Sequence, residues 1–78
     1  MSQASPGEEW QTLCEEHRAA RKAQLAAFTS VNAKFLAIGA GTSTANPTQD
    51  ESIALEAAWE RLQDVRARMT AFVKAQVA

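Results

Sequence analysis

Cys14 and His17 come closest, by residue type and spacing, to a chemical site. They lie three residues apart in a segment without proline or glycine, so a helix would present them on one face. A thiolate and an imidazole there supply half of a zinc site, and a two-fold dimer completes it only if equivalent turns meet at the axis. The carboxylates of Glu15 and Glu16 disfavour a reactive thiolate. We therefore predict a small apolar cysteine and a boundary histidine, with no metal and no cofactor.

The other motifs associated with catalysis are incomplete. Glu56 and Glu60 lie one helical turn apart, but di-iron bundles also need Glu-x-x-His pairs, and the one histidine has Cys14 three positions before it. The Gly39–Ser43 segment lacks the lysine of a phosphate-binding loop and follows a helical pattern rather than a strand. Because a two-helix chain also lacks a concave pocket, we predict no catalytic residues and no enzyme.

Five basic side chains form the candidate nucleic-acid contact. A helical hairpin brings them to one end; they are Arg18, Arg21, Lys22, Arg66 and Arg68. No aromatic residue is interleaved with them for base stacking, and Glu15, Glu16 and Asp64 neutralise part of their charge. A solvated charged face is therefore the main interpretation, and a small nucleic-acid-binding regulator is an alternative function.

Local signals predict two helices joined by a polar linker in a single domain spanning residues 1–78. Ser5, Pro6 and Glu8 fit a helix start, and good helix formers dominate from there to about residue 38. The linker, about residues 39–48, contains Gly39, Gly41 and an Asn-Pro turn. A second capping pattern, Thr48 to Glu51, opens a helix over about residues 49–76. The predicted fold is an all-α antiparallel two-helix hairpin.

Composition indicates that this hairpin has a thin core. The chain has 78 residues and a formal charge of -1; 46% of the residues are hydrophobic, but 17 of these are alanine. At this size a core seldom supplies more than about 3–5 kcal/mol. Because each helix of a lone hairpin buries only one stripe, we predict that a second copy covers the apolar face. The simplest closed assembly is a two-fold dimer forming a four-helix bundle.

Large apolar residues at three- and four-residue steps predict the contacts between helices and between copies. Folding the chain at the linker predicts Phe28 near Leu62 and Phe35 near Leu55, with Ala19, Ala20 and Ala23 near Ala67 and Ala71. The predicted association residues are Trp59, Leu62, Phe28, Phe35, Met69 and Phe72.

Together these patterns favour a small non-enzymatic protein–protein interaction module that self-associates. The N-terminus lacks the basic and apolar regions of a secretory signal, and one cysteine forms no intrachain disulfide, so we expect a cytoplasmic protein without a membrane span. In size and pattern the chain is similar to plasmid copy-number RNA-binding dimers and to subunits and chaperones of secretion machines. The Asn46-Pro47 turn resembles that of type III secretion needle subunits. A secretion-apparatus subunit or chaperone is therefore a further alternative.

Overall fold

The computed structural model describes residues 5–77 as two α-helices that pack against each other in antiparallel orientation. Helix α1 spans Pro6–Gly39 and helix α2 spans Gln49–Val77. Within residues 5–77 there is no strand, so the described chain is an all-helical hairpin.

The ends of α1 are set by local hydrogen bonds. At its start, the Ser5 side chain accepts a hydrogen bond from the Glu8 N–H at 3.2 Å, and Pro6 takes the first helical position. At its end, Gly41 has φ +76°, the left-handed conformation that closes a helix. The N–H groups of Gly41 and Thr42 then donate to the carbonyls of Ile38 and Ala37 at 3.1 and 3.0 Å. This Schellman motif ends α1 and starts the linker.

Helix α2 starts at the predicted reciprocal capping box. The Glu51 N–H donates to the Thr48 hydroxyl at 3.1 Å, and the Thr48 N–H donates back to a Glu51 carboxylate oxygen at 3.3 Å. Each residue therefore satisfies a backbone donor of the other, and Glu51 becomes a fixed part of the helix start.

The contact between the helices follows one stripe on each, which we call the seam. Its residues recur alternately at three and four positions, the spacing of a coiled coil, and all are buried or half-buried. On α1 the seam comprises Leu13, His17, Ala20, Gln24, Ala27, Val31, Lys34 and Ile38. On α2 it comprises Glu51, Leu55, Ala58, Leu62, Val65, Met69 and Phe72. Ala20 and Val65 are the most deeply buried of these, at 0% and 1% exposure.

Three contacts establish how the helices are aligned. Trp10 stacks on Phe72 with ring centroids 5.7 Å apart, Glu16 pairs with Arg68 at 2.7 Å, and Lys34 pairs with Glu51. In this register Leu62 lines a cavity with Gln24, one turn before Phe28, so the predicted pairing of Phe28 with Leu62 is displaced by one turn.

Two other predicted contacts have different outcomes. Phe35 and Leu55 line one cavity, as predicted. Of the five alanines predicted to lie together, Ala20 is fully buried and Ala23 is half-buried, whereas Ala19, Ala67 and Ala71 are exposed. The alanines of α2 are therefore not enclosed between the helices.

The hairpin is a narrow rod of about 58 × 25 × 16 Å. Its radius of gyration of 17.6 Å compares with about 12 Å for a compact domain of this length. Neither helix, over the described residues, is long and apolar enough to cross a membrane.

Candidate interaction surface

Three shallow cavities lie in a row along one side of the hairpin. Their volumes are about 370, 290 and 280 Å³. The lining residues of α2 are Ser52, Leu55, Leu62, Arg66, Met69, Thr70, Val73 and Lys74. All except Thr70 and Lys74 follow three- and four-residue steps with one position missing, which Trp59 fills. A single stripe of α2 therefore borders all three cavities.

Helix α1 borders the same row with a matching stripe. Its lining residues are Trp10, His17, Arg21, Gln24, Val31 and Phe35. The same three- and four-residue steps place Cys14 and Phe28 in the two gaps of this stripe. We call the side of the hairpin formed by these two stripes the groove face.

Large apolar side chains remain uncovered on the groove face. Phe28, Phe35 and Trp59 are 42%, 56% and 47% exposed. Val73 is also exposed, and Leu62 and Met69 are half-buried between the helices. Five of the six predicted association residues therefore lie on one face. The sixth, Phe72, is half-buried against Trp10 at the end of the hairpin away from the linker, which we call the open end.

The middle cavity of the groove face is basic. It is lined by His17, Arg21, Gln24, Leu62 and Arg66, a set without a carboxylate. The cavity beside the linker, with Val31, Phe35 and Leu55, is largely apolar, and so is the cavity at the open end, with Trp10, Met69 and Val73. The groove face is therefore apolar at both ends and positively charged at its centre.

The opposite side of the hairpin, which we call the ion-pair face, carries ion pairs that join the two helices. Arg68 donates a hydrogen bond to Asp64 at 3.2 Å on its own helix, and its guanidinium forms an ion pair with the Glu16 carboxylate at 2.7 Å on α1. Lys34 and Ser30 both donate to the carboxylate of Glu51, the Ser30 hydroxyl at 2.7 Å. These contacts cross from one helix to the other near each end, so they hold the register.

The electrostatics of Glu51 follow from these partners. The Lys34 ammonium and the Ser30 hydroxyl, with Thr48 adding its N–H and hydroxyl, lower the pKa of the Glu51 carboxyl from 4.5 to about 2. Partial burial acts in the opposite direction and is outweighed. The ionised form of Glu51 therefore stabilises the packing of α2 on α1 at neutral pH.

No family model, curated protein or solved structure matches this chain. The groove face and the ion-pair face are therefore the features from which a function can be inferred.

The five predicted nucleic-acid contacts do not form one patch. Arg21 and Arg66 line the same cavity. Arg66 and Arg68 are two positions apart, about 200° around a helix, and Arg68 is engaged on the ion-pair face. Lys22 is exposed on the side of α1 away from the seam, and Arg18 is exposed beside the groove face. The structure thus brings two of the five side chains together.

Sequence reasoning missed two features of the groove face. Gln24 lines the central cavity and was not singled out, because an uncharged polar residue carries no periodic signal. His17 lines that cavity too, although its spacing from Cys14 had directed attention to metal binding. Within residues 5–77 no cluster of three or more His, Cys, Asp or Glu side chains is placed to hold a metal ion.

Proposed function

We propose that this chain is a small non-enzymatic protein–protein interaction module. It associates with a second copy of itself through the groove face to form a four-helix bundle. The observation that carries the proposal is the row of exposed large apolar side chains, Phe28, Phe35, Trp59 and Val73, on one face. Aromatic side chains contribute much of the contact area at protein interfaces.

The accessible surface supports the need for a partner. The chain exposes 6030 Å², whereas a compact monomer of 8.4 kDa exposes about 4600 Å². A standard interface buries about 800 Å² on each partner. The excess, about 1400 Å², is more than one such interface removes, so the hairpin has enough uncovered area to form a stable dimer.

A non-enzymatic role is supported by the form of the cavities. All three are open grooves, and the basic one is lined by Arg, His, Gln and Leu without a carboxylate, a thiol or a hydroxyl group. Catalytic sites generally lie in pockets that exclude water around such groups. A cytoplasmic location is also part of the proposal, and the free thiol of Cys14 is consistent with a reducing compartment.

The proposal is tested with two matched substitutions on α2. Trp59→Glu places a charge on the groove face, and Ile53→Glu places one at a similarly exposed position on the outer side of the helix. We expect the wild-type chain to be a dimer by light scattering across a dilution series. Trp59→Glu should shift it to monomer at concentrations where Ile53→Glu remains dimeric, because only the former buries a charge at the interface.

Two results contradict the proposal. One is a single-chain mass for the wild-type protein at every concentration up to the millimolar range. The other is equal dimer stability for the two variants, which would place the contact away from the groove face. Far-UV circular dichroism of the same samples should show that both variants keep their helices.

A nucleic-acid-binding regulator is a second candidate, favoured by the convergence of Arg21 and Arg66 with His17 on one cavity. Guanidinium groups bind phosphate oxygens in bidentate fashion. This role is distinguished by salt-dependent retention of RNA or DNA that is lost in Arg21→Glu and kept in Arg61→Glu.

A further inference from the structure

Along the edge of the groove face that points away from the hairpin, α2 carries a second coiled-coil pattern, which includes residues beyond the cavity lining. On α2, Ser52, Trp59, Arg66 and Val73 recur every seven residues, and Glu56, Gln63 and Thr70 do the same three or four positions away. All seven side chains are exposed. Alternating steps of three and four are the spacing with which one helix packs against another. This outer stripe is therefore suited to a helix of a second molecule.

Charge complementarity selects how a second α2 would align with this stripe. In an antiparallel pair about a two-fold axis, each contact occurs twice, once from either copy. With the axis level with Arg61, Glu56 of one copy meets Arg66 of the other. Sliding the pair by one heptad replaces Arg66 with Trp59 or Val73, leaving Glu56 against an uncharged side chain. One register of the three thus forms two opposite-charge contacts.

The selected register also forms favourable contacts between the remaining residues of the outer stripe. Trp59 lies against Gln63 of the second copy, whose aliphatic stem can cover part of the indole. Ser52 lies against Thr70, so two hydroxyls meet. The exposed apolar and polar groups of α2 are therefore covered by groups of matching character.

The contacts of helix α1 also test this arrangement of the dimer. The register within the hairpin fixes which residue of α1 lies level with the two-fold axis. The Glu16–Arg68 pair aligns the two helices, and seven residues further along each, Ala23 lies level with Arg61. The same two-fold axis therefore passes α1 at Ala23 and brings Phe28 against Arg18 of the second copy. A guanidinium on an aromatic face is a favourable cation–π contact.

The other arginine of α1 is also accommodated in this arrangement. Arg21 lies beside Leu25 of the second copy, where its aliphatic stem can pack while the guanidinium reaches water. The same two-fold axis therefore gives favourable contacts on both α1 and α2. A different alignment of α1 with α2 within the hairpin would not give both sets of contacts.

We infer that the hairpin pairs with a second copy in this antiparallel register, with two symmetry-related Glu56–Arg66 ion pairs between the outer stripes. The inference rests on the proposed self-association. It adds the partner's orientation, its register and the charge pair that distinguishes this register from its neighbours.

The test uses Glu56→Arg and Arg66→Glu, which reverse one charge each at exposed positions. Each variant alone brings like charges together, so its dimer dissociation constant should rise at least about tenfold. An equimolar mixture of the two should recover affinity to within about threefold of wild type. In the mixed dimer both contacts join opposite charges, whereas a charge effect within one chain would not be relieved by mixing.

Glu60→Arg and Arg61→Glu are the matched controls. They make the same charge changes on α2 at exposed positions outside the outer stripe, and they should leave the dissociation constant unchanged. Sedimentation equilibrium gives the dissociation constants, and far-UV circular dichroism should show that every variant remains helical.

The failures of the two proposals are distinguishable. A wild-type chain that stays monomeric overturns self-association and this register together, and leaves a nucleic acid or another protein as the occupant of the groove face. A wild-type dimer that the single variants leave intact overturns the register alone. The same conclusion follows if the variants weaken the dimer but their mixture does not recover it.

Discussion

Arginine side chains on the two faces of the hairpin have different neighbours. On the ion-pair face, Arg68 contacts carboxylates on both helices, and Lys34 contacts Glu51. On the groove face, Arg21 and Arg66 share a cavity whose lining contains no carboxylate. The same contrast holds for apolar groups, because the large exposed side chains Phe28 and Trp59 lie on the groove face. The ion-pair face is therefore complete within one chain, and the groove face is the one suited to a partner.

The ion pairs of the first face nevertheless contribute little to stability by themselves. Partly exposed pairs of this kind contribute about 0–1 kcal/mol each. Their main consequence is geometric, since they join residues far apart in the sequence and so align α1 with α2. Stability depends on the seam between the faces, where Ala20 and Val65 are fully enclosed. The three regions can be separated by substitutions of the same chemical kind.

The largest difference in helix content is expected between the Val65→Asp and Val73→Asp variants. Val65 is 1% exposed, so its replacement buries an unpaired carboxylate at a cost of at least about 3 kcal/mol, comparable to the whole stability of a core this small. Far-UV circular dichroism should show loss of helix. Val73 is 46% exposed on the groove face, and its replacement should keep the helices while weakening the dimer. Equal helix loss in both variants would contradict the separation of seam and groove face.

Local chemistry was sufficient to predict the ends of the helices from the sequence. Ser5, Thr48 and the Gly39–Gly41 segment act through hydrogen bonds to residues within about five positions, so their patterns can be recognised without knowing the fold. The seam of α2 could also be predicted from the sequence, because Leu62 and Met69 belong to one regular apolar stripe.

The seam of α1 could not be predicted from the sequence, for a physical reason. Its central positions carry His17, Ala20 and Gln24, while large apolar residues such as Phe28 stand on the neighbouring stripe. Periodicity shows which residues share a face, but it does not show which of two adjacent stripes meets the partner helix. Here Ala20 is fully buried against α2, whereas Phe28 on the neighbouring stripe is 42% exposed. The register further depends on long-range pairs such as Lys34 with Glu51, which no local pattern contains.

A smaller effect is expected from enlarging the seam of α1. Ala20 is fully buried, so Ala20→Leu inserts volume into an enclosed site between the helices and should destabilise the hairpin by about 1–3 kcal/mol. Ala19→Leu adds the same side chain at an exposed position one residue earlier and should have little effect. Urea denaturation at one fixed protein concentration compares the two. An unchanged midpoint for Ala20→Leu would mean that the helices do not approach closely there.

The smallest effect concerns the ion-pair face and depends on pH. The folded chain holds the pKa of Glu51 at about 2 rather than 4.5, so the unfolded chain takes up this proton first as the solution is acidified. The stability that ionised Glu51 contributes is thus fully present above pH 4.5 and is lost as the pH falls towards 2. Glu51→Gln removes the ionisable group together with its pairing to Lys34.

We therefore expect Glu51→Gln to be less stable than wild type at pH 7, with the gap between their urea midpoints narrowing from pH 4.5 towards pH 2. Glu60→Gln, on the exposed outer side of α2, controls for the general loss of a carboxylate. A gap that stays constant over this range would show that Glu51 acts through hydrogen bonds that do not require its charge. The ion-pair face would then align the helices by the Thr48 capping box and the Ser30 contact, with no electrostatic part for Lys34.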